Sequence, residues 1–154
     1  RLLRGGCIRS DLASGDAADA PTRPRRTVLV VDDEELLRAA LVRYFARQGW
    51  MVIEAGDGDE ALVRLAATPL PDLVIADRCM PRRDGVALHA ALAVERPSLA
   101  ARFILASGDP GAEDVVAFRE RTGCTVVGKP FPLAELLAHA ERIVGTPQPD
   151  RHCA

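Results

Sequence analysis

Leu73-Val74-Ile75-Ala76-Asp77-Arg78-Cys79-Met80-Pro81 is the stretch whose reading decides the fold. An apolar run ends abruptly in one carboxylate, and the proline four residues later forbids the strand from continuing. Short unbroken apolar runs suit strands buried on both faces. A carboxylate at the carboxyl end of such a strand stands where open α/β sheets place their ligands.

The same pattern recurs on either side. Val28-Leu29-Val30-Val31 reads as a buried strand that stops at Asp32-Asp33. Leu37, Ala40, Leu41, Tyr44 and Phe45 then recur at helical spacing up to a stop at Gln48-Gly49. Residues 50–54 form the second expected strand, and 59–67 a short helix ended by Thr68-Pro69-Leu70-Pro71. After strand three (72–77) come a loop with Arg82, Arg83 and Gly85, a helix over 86–95 ended by Pro97, and strand four over 101–106. A helix over about 112–121, a short strand over 125–127 and a last helix over 132–144 complete the set. That helix carries Leu133, Leu136, Leu137, Ala140 and Ile143 as its buried stripe. Five strands alternating with five helices predict an α/β fold: a doubly wound parallel sheet with helices on both faces. Residues 1–26 and 146–154 read as a flexible linker and a tail around one domain at 27–145.

Bulk properties narrow the function. The chain has 154 residues, 48% hydrophobic and 27% charged, so it has the makings of a core and is not disordered throughout. A formal net charge of -2 gives no overall attraction to nucleic acid or anionic membrane. No apolar run nears the roughly 20 residues that span a bilayer, and the start has no signal-like apolar region, so a cytoplasmic setting is expected. Cys7, Cys79, Cys124 and Cys153 show no metal-binding spacing and are expected to be reduced thiols. His89, His139 and His152 stand singly and are expected at surfaces or boundaries.

In a parallel sheet every carboxyl end lies on one edge. Asp32 and Asp33 follow strand one, Asp77 ends strand three, Ser107 follows strand four and Lys129 follows strand five. Three crowded carboxylates repel one another unless a cation joins them. Oxygen-only ligation of this kind suits magnesium. With lysine opposite, the group is suited to phosphoryl transfer, which depends on positioning and charge stabilisation. Asp77 is the expected nucleophile, forming an acyl phosphate. Asp33 and Asp77 are the expected metal ligands, with Asp32 acting through water. Lys129 and the Ser107 hydroxyl would each hold a phosphoryl oxygen, and Gly108 would leave the approach open.

These residues resemble the receiver domains of two-component response regulators. The resemblance spans about 27–145 and rests on Asp32-Asp33, Asp77 with Met80-Pro81 and Gly85, Ser107-Gly108 and Lys129-Pro130-Phe131, in family order and spacing. It implies a flavodoxin-like sheet in the order 2-1-3-4-5 and a cis bond between Lys129 and Pro130. It implies Mg2+, or another divalent cation such as Mn2+, with the backbone carbonyl of Cys79 completing its shell. A histidine kinase or histidine phosphotransfer domain would be the donor, and a downstream effector protein or domain the recipient of the signal. Such a domain is not an enzyme in the usual sense, since it catalyses only its own phosphotransfer and dephosphorylation. Direct nucleic-acid binding and membrane contact by this segment are not expected, whereas homodimerisation is compatible with the family.

Two places depart from the family pattern. Val126 stands where receivers commonly carry Tyr or Phe, which removes an aromatic rotamer switch. Arg78 and Cys79 follow the aspartate, and Cys79 with Asp109 would influence the lifetime of the acyl phosphate. The alternative to a phosphoaccepting switch is a receiver-like interaction module that works without phosphate. An aspartyl phosphatase would be expected to show a second acid at Cys79, and a dinucleotide enzyme a glycine-rich turn where Asp32-Asp33-Glu34 stands. The linker-like start and the absence of an initiating Met favour the C-terminal receiver of a hybrid histidine kinase over a single-domain regulator.

Overall fold

The computed structural model describes residues 25–145. The expected linker and tail, with Cys7, His152 and Cys153, lie outside them apart from Arg25 and Arg26. The elements are β1 (Thr27–Val31), α1 (Glu35–Arg47), β2 (Met51–Ala55), α2 (Gly58–Ala67), β3 (Leu73–Asp77) and α3 (Gly85–Glu95). They continue as α4 (Pro97–Ala100), β4 (Phe103–Ser107), α5 (Glu113–Thr122), β5 (Thr125–Gly128) and α6 (Leu133–Val144). The sheet has the order β2-β1-β3-β4-β5, and every neighbouring pair is parallel.

Side-chain alternation along the strands sorts the core into two layers. Leu29 and Val31 of β1, with Val74, Ala76 and Leu105, meet Ala61, Leu65, Leu88, Leu92 and Phe118 from α2, α3 and α5. Val28 and Val30, with Leu73, Ile75 and Ile104, meet Leu41, Phe45, Leu136 and Ala140 from α1 and α6. All five residues of β3 and of β4 are buried, as central strands covered on both faces require. Each large aliphatic side chain removed from water there contributes about 1.5–3 kcal/mol.

Local signals set the helix ends. Asp57 and Asp84 cap α2 and α3, their carboxylates accepting the N–H of Glu60 and of Ala87 at 2.8 Å. Gly123, in the left-handed region at φ 72°, stops α5. Trp50 stands just before β2, buried edge-on against Phe45 and beneath the Arg26 guanidinium. Arg26 also lies 4.0 Å from Glu141 in the last turn of α6. No helix of the described residues is long and apolar enough to cross a membrane.

Two expectations need correction. Six helices are present rather than five among the described residues, because Pro97 not only follows the end of α3 but opens the single turn α4. Proline suits a first helical position, where its missing N–H would have no partner. Strand four consequently starts at Phe103, since Ala101 and Arg102 close that turn through bonds to Pro97 O and Leu99 O. The second correction concerns His89, which is buried rather than at a surface or boundary. Its ring stands edge-on to Phe103 and Phe118, with Nε2 3.1 Å from Ala100 O and 3.5 Å from the Cys124 sulfur. Burial pushes its pKa below the ordinary imidazole value, so it is a neutral core residue.

Candidate functional site at the carboxyl edge of the sheet

Parallel pairing brings the strand ends together as the sequence implies. Asp77 and Ser107 are the last residues of β3 and β4, and Asp32 and Lys129 directly follow β1 and β5. The Lys129 ammonium lies 3.2 Å from Asp32 Oδ2 and 3.2 Å from Asp77 Oδ2, so two carboxylates share one cation. Asp33 is exposed at the mouth, and carboxylate oxygens of Asp32, Asp33 and Asp77 all lie within 4.8 Å of one another. Backbone bonds hold the frame. Asp32 N–H donates to Ala55 O, Arg78 N–H to Ala106 O and Lys129 N–H to Ser107 O. The Lys129–Pro130 bond is cis.

The electrostatics follow from burial and crowding. Burial, then the neighbouring Asp32 charge, raises the Asp77 pKa above the ordinary carboxylate value, and Lys129 only partly offsets this. Burial works against the Lys129 charge, but Asp32 and Asp77 outweigh it and hold the ammonium above its usual pKa. Asp32 Oδ1 is occupied by the Glu34 N–H at 2.8 Å, and Asp77 Oδ1 receives the Cys79 N–H at 3.4 Å. The Ser107 hydroxyl oxygen accepts the Asp109 N–H at 3.0 Å, which leaves its own hydrogen free to donate.

Cys79 is exposed beside Asp77, and its sulfur lies 3.2 Å from the Arg78 guanidinium. Val126 is half-buried against the core layer under α5. A cavity of about 440 Å³ opens at the rim, lined by Asp33, Arg78, Cys79, Met80, Pro81 and Asp84. A Cβ at Gly108 would meet nothing within 4 Å. Gly85 is the tight position: a Cβ would stand 2.5 Å from Asp77 O and 2.6 Å from Leu105 Cδ1. The loop after β3 therefore folds back onto the backbone of Asp77 itself.

Sequence reasoning missed the ties that fix this loop. Arg78 pairs with Asp114 of α5, Arg82 with the buried Asp57, and Arg83 with Asp59 at 2.8 Å. Gly58 N–H donates to Arg83 O, and Arg82 sits in the left-handed region at φ 64°. Asp57 and Asp59 stand at the cap and in the first turn of α2.

The donor set fits a small hard cation: oxygen ligands only, from three clustered carboxylates, one at the surface. Fold and site together define a flavodoxin-like α/β domain whose working edge is an acid cluster with a lysine. The response regulator receiver domain profile matches residues 28–141. Over 132 residues the chain is 34% identical to the transcriptional regulatory protein PdtaR of Mycobacterium tuberculosis, a match covering 85% of this chain and 62% of that protein. It is 35% identical over 123 residues to the response regulator MprA of Mycolicibacterium vanbaalenii, covering 80% of this chain and 52% of the other. Among solved structures, a response regulator receiver protein from Pseudomonas putida superposes with a TM-score of 0.69 at 28% identity, covering 79% of this chain and 99% of that one. The CheX-CheY-BeF3-Mg complex from Borrelia burgdorferi matches with a TM-score of 0.69 at 27% identity over 79% of this chain and 90% of that one. The chain belongs to the response regulator receiver domain family. It spans about half to three-fifths of the length of these two curated relatives.

Proposed function

We propose that Asp77 is the phosphoacceptor of a two-component phosphorelay. A histidine kinase or histidine phosphotransfer domain supplies the group as phosphohistidine, and the loaded domain changes its contacts with an effector protein or domain. The observation that carries this reading is the Lys129 ammonium set 3.2 Å from both Asp77 and Asp32 at one sheet edge. An Asp77 carboxylate oxygen attacks phosphorus in line, the P–N bond breaks, and its electron pair stays on the donor imidazole. Lys129 pairs with one phosphoryl oxygen, and the free hydrogen of the Ser107 hydroxyl is donated to another. Asp33 and Asp77 would hold Mg2+ or Mn2+, with Asp32 acting through water and the Cys79 carbonyl contributing. The ion, when bound, neutralises developing charge on the phosphoryl oxygens. That the similar Borrelia burgdorferi complex contains BeF3 and Mg supports magnesium as the ion here. The domain catalyses only its own loading and unloading, and a cytoplasmic setting follows from the donor.

Intact-mass measurement after incubation with Mg2+ and a small acyl phosphate tests the proposal. One phosphoryl group is expected on the protein, absent from Asp77→Asn and absent when the metal is chelated. No gain with a donor that loads another receiver would favour the phosphate-independent interaction module instead.

A further inference from the structure

Arg78 has no part in the chemistry above, yet it follows the acceptor directly and lines the same cavity as Asp33 and Cys79. Each of its three nitrogens has a partner other than Asp77. Nε donates to Asp114 Oδ2 at 3.0 Å, Nη2 pairs with the same carboxylate, and Nη1 lies 3.2 Å from the Cys79 sulfur. Asp114 belongs to the first turn of α5, and Ala112 at the cap position offers no side-chain acceptor. The tie to Arg78 therefore anchors that turn to the loop after β3.

We propose that Arg78 is a phosphoryl-binding arm held in reserve by Asp114, so that loading Asp77 releases the first turn of α5. The inference rests on Asp77 being the phosphoacceptor. A phosphoryl group carries about twice the charge of a carboxylate and three acceptor oxygens. A guanidinium matches such oxygens in bidentate geometry. The Asp114 side chain is 55% exposed, so solvent and salt screen its hold, whereas the Asp77 side chain is 10% exposed. The bond from the Arg78 N–H to Ala106 O holds its backbone in place, so the arm would move by side-chain rotation within the cavity it shares with Asp33 and Cys79.

The full chain, Mg2+ and a small acyl phosphate test this, with intact mass and amide hydrogen exchange read on the same samples. Loading of the wild type is expected to speed exchange at residues 112–116 severalfold. Asp114→Asn is expected to show that faster exchange without any donor and to load faster than the wild type. Arg78→Gln is expected to load more slowly by roughly tenfold to a hundredfold, the effect of removing one hydrogen bond to a charged group. Arg78→Lys restores part of the rate. In the Arg78→Gln background Asp114→Asn is expected to leave the loading rate unchanged, a result that an effect of Asp114 independent of Arg78 does not produce. Wild type that gains the phosphoryl mass with unaltered exchange at 112–116 overturns the proposal. So does an Asp114→Asn effect of equal size in both backgrounds. Absence of any mass gain instead overturns the phosphoacceptor reading, and the arm with it.

Discussion

Asp57 is a buried carboxylate with two duties, and substitution separates them. It caps α2 through the Glu60 N–H and pairs with Arg82 of the loop that follows Asp77. Asp57→Ala removes both. Loss of an N-cap costs about 1 kcal/mol, within a range of 0.5–2. The Arg82 side chain is 67% exposed, so the ion pair is well screened and adds no more than about 1 kcal/mol. The expected total is about 2 kcal/mol, or a fall in Tm of about 8 °C for a domain of this size. Asp57→Asn keeps a cap acceptor and loses only the charge, so it is expected to cost about 1 kcal/mol or less. Urea unfolding at pH 7 measures both. The pH dependence has a definite sign. The Glu60 N–H, against the opposing effect of burial and with help from Arg82, holds the Asp57 pKa below its ordinary 3.8. Stability from the ionised form is present above that ordinary value and is lost as pH falls through the folded value. The gap between wild type and Asp57→Asn is expected to close in that acid range. Equal losses in Ala and Asn would show that the cap is not the larger contribution. An Ala variant within about 0.3 kcal/mol of wild type, inside the scatter of an ordinary surface change, would refute the reasoning altogether.

Three further outcomes are expected. Gly85→Ala forces a Cβ to 2.5 Å from Asp77 O, so it should cost about 1–3 kcal/mol of overpacking in urea unfolding and slow the loading of Asp77. His89 is neutral in the fold, with its pKa depressed by burial and by the Arg121 charge. The wild type should therefore lose stability as pH falls below about 6.5, at up to about 1.4 kcal/mol per pH unit, while His89→Leu loses none of it over that range. Parallel stability curves from pH 7 to 5 would contradict that assignment. Phe118→Ala opens the wall beside His89 and is expected to cost about 4 kcal/mol by chemical denaturation.

Four of the five strands were legible because their apolar runs lead into a polar group, Asp32, Asp77, Ser107 or Lys129. The same residues made the working edge legible, since a parallel topology carries every strand end to one side. Arg78 and Asp114 were a different matter. They lie 36 residues apart on a loop and a helix, and nothing local marks either as the other's partner. His89 was misplaced for a related reason. One imidazole in an apolar helix gives no sign of depth, and its burial is decided by Phe103 and Phe118 from other elements. Pro97 carried two meanings, helix stop and helix start, and only the burial of Leu99 and Ala100 decides that it carries the second.

The ion pair between Arg26 and Glu141 ties the residue before β1 to the last turn of α6. Every strand runs from that side of the sheet toward the acid edge. Both polypeptide exits of the described domain thus share one base, and the acid edge faces the other way. Such a layout suits grafting: a module joined through Arg26 or Gly145 attaches behind the sheet and leaves the acid edge clear. Neighbouring ends also make the domain a candidate for circular permutation, with new termini opened in an exposed loop far from Asp77.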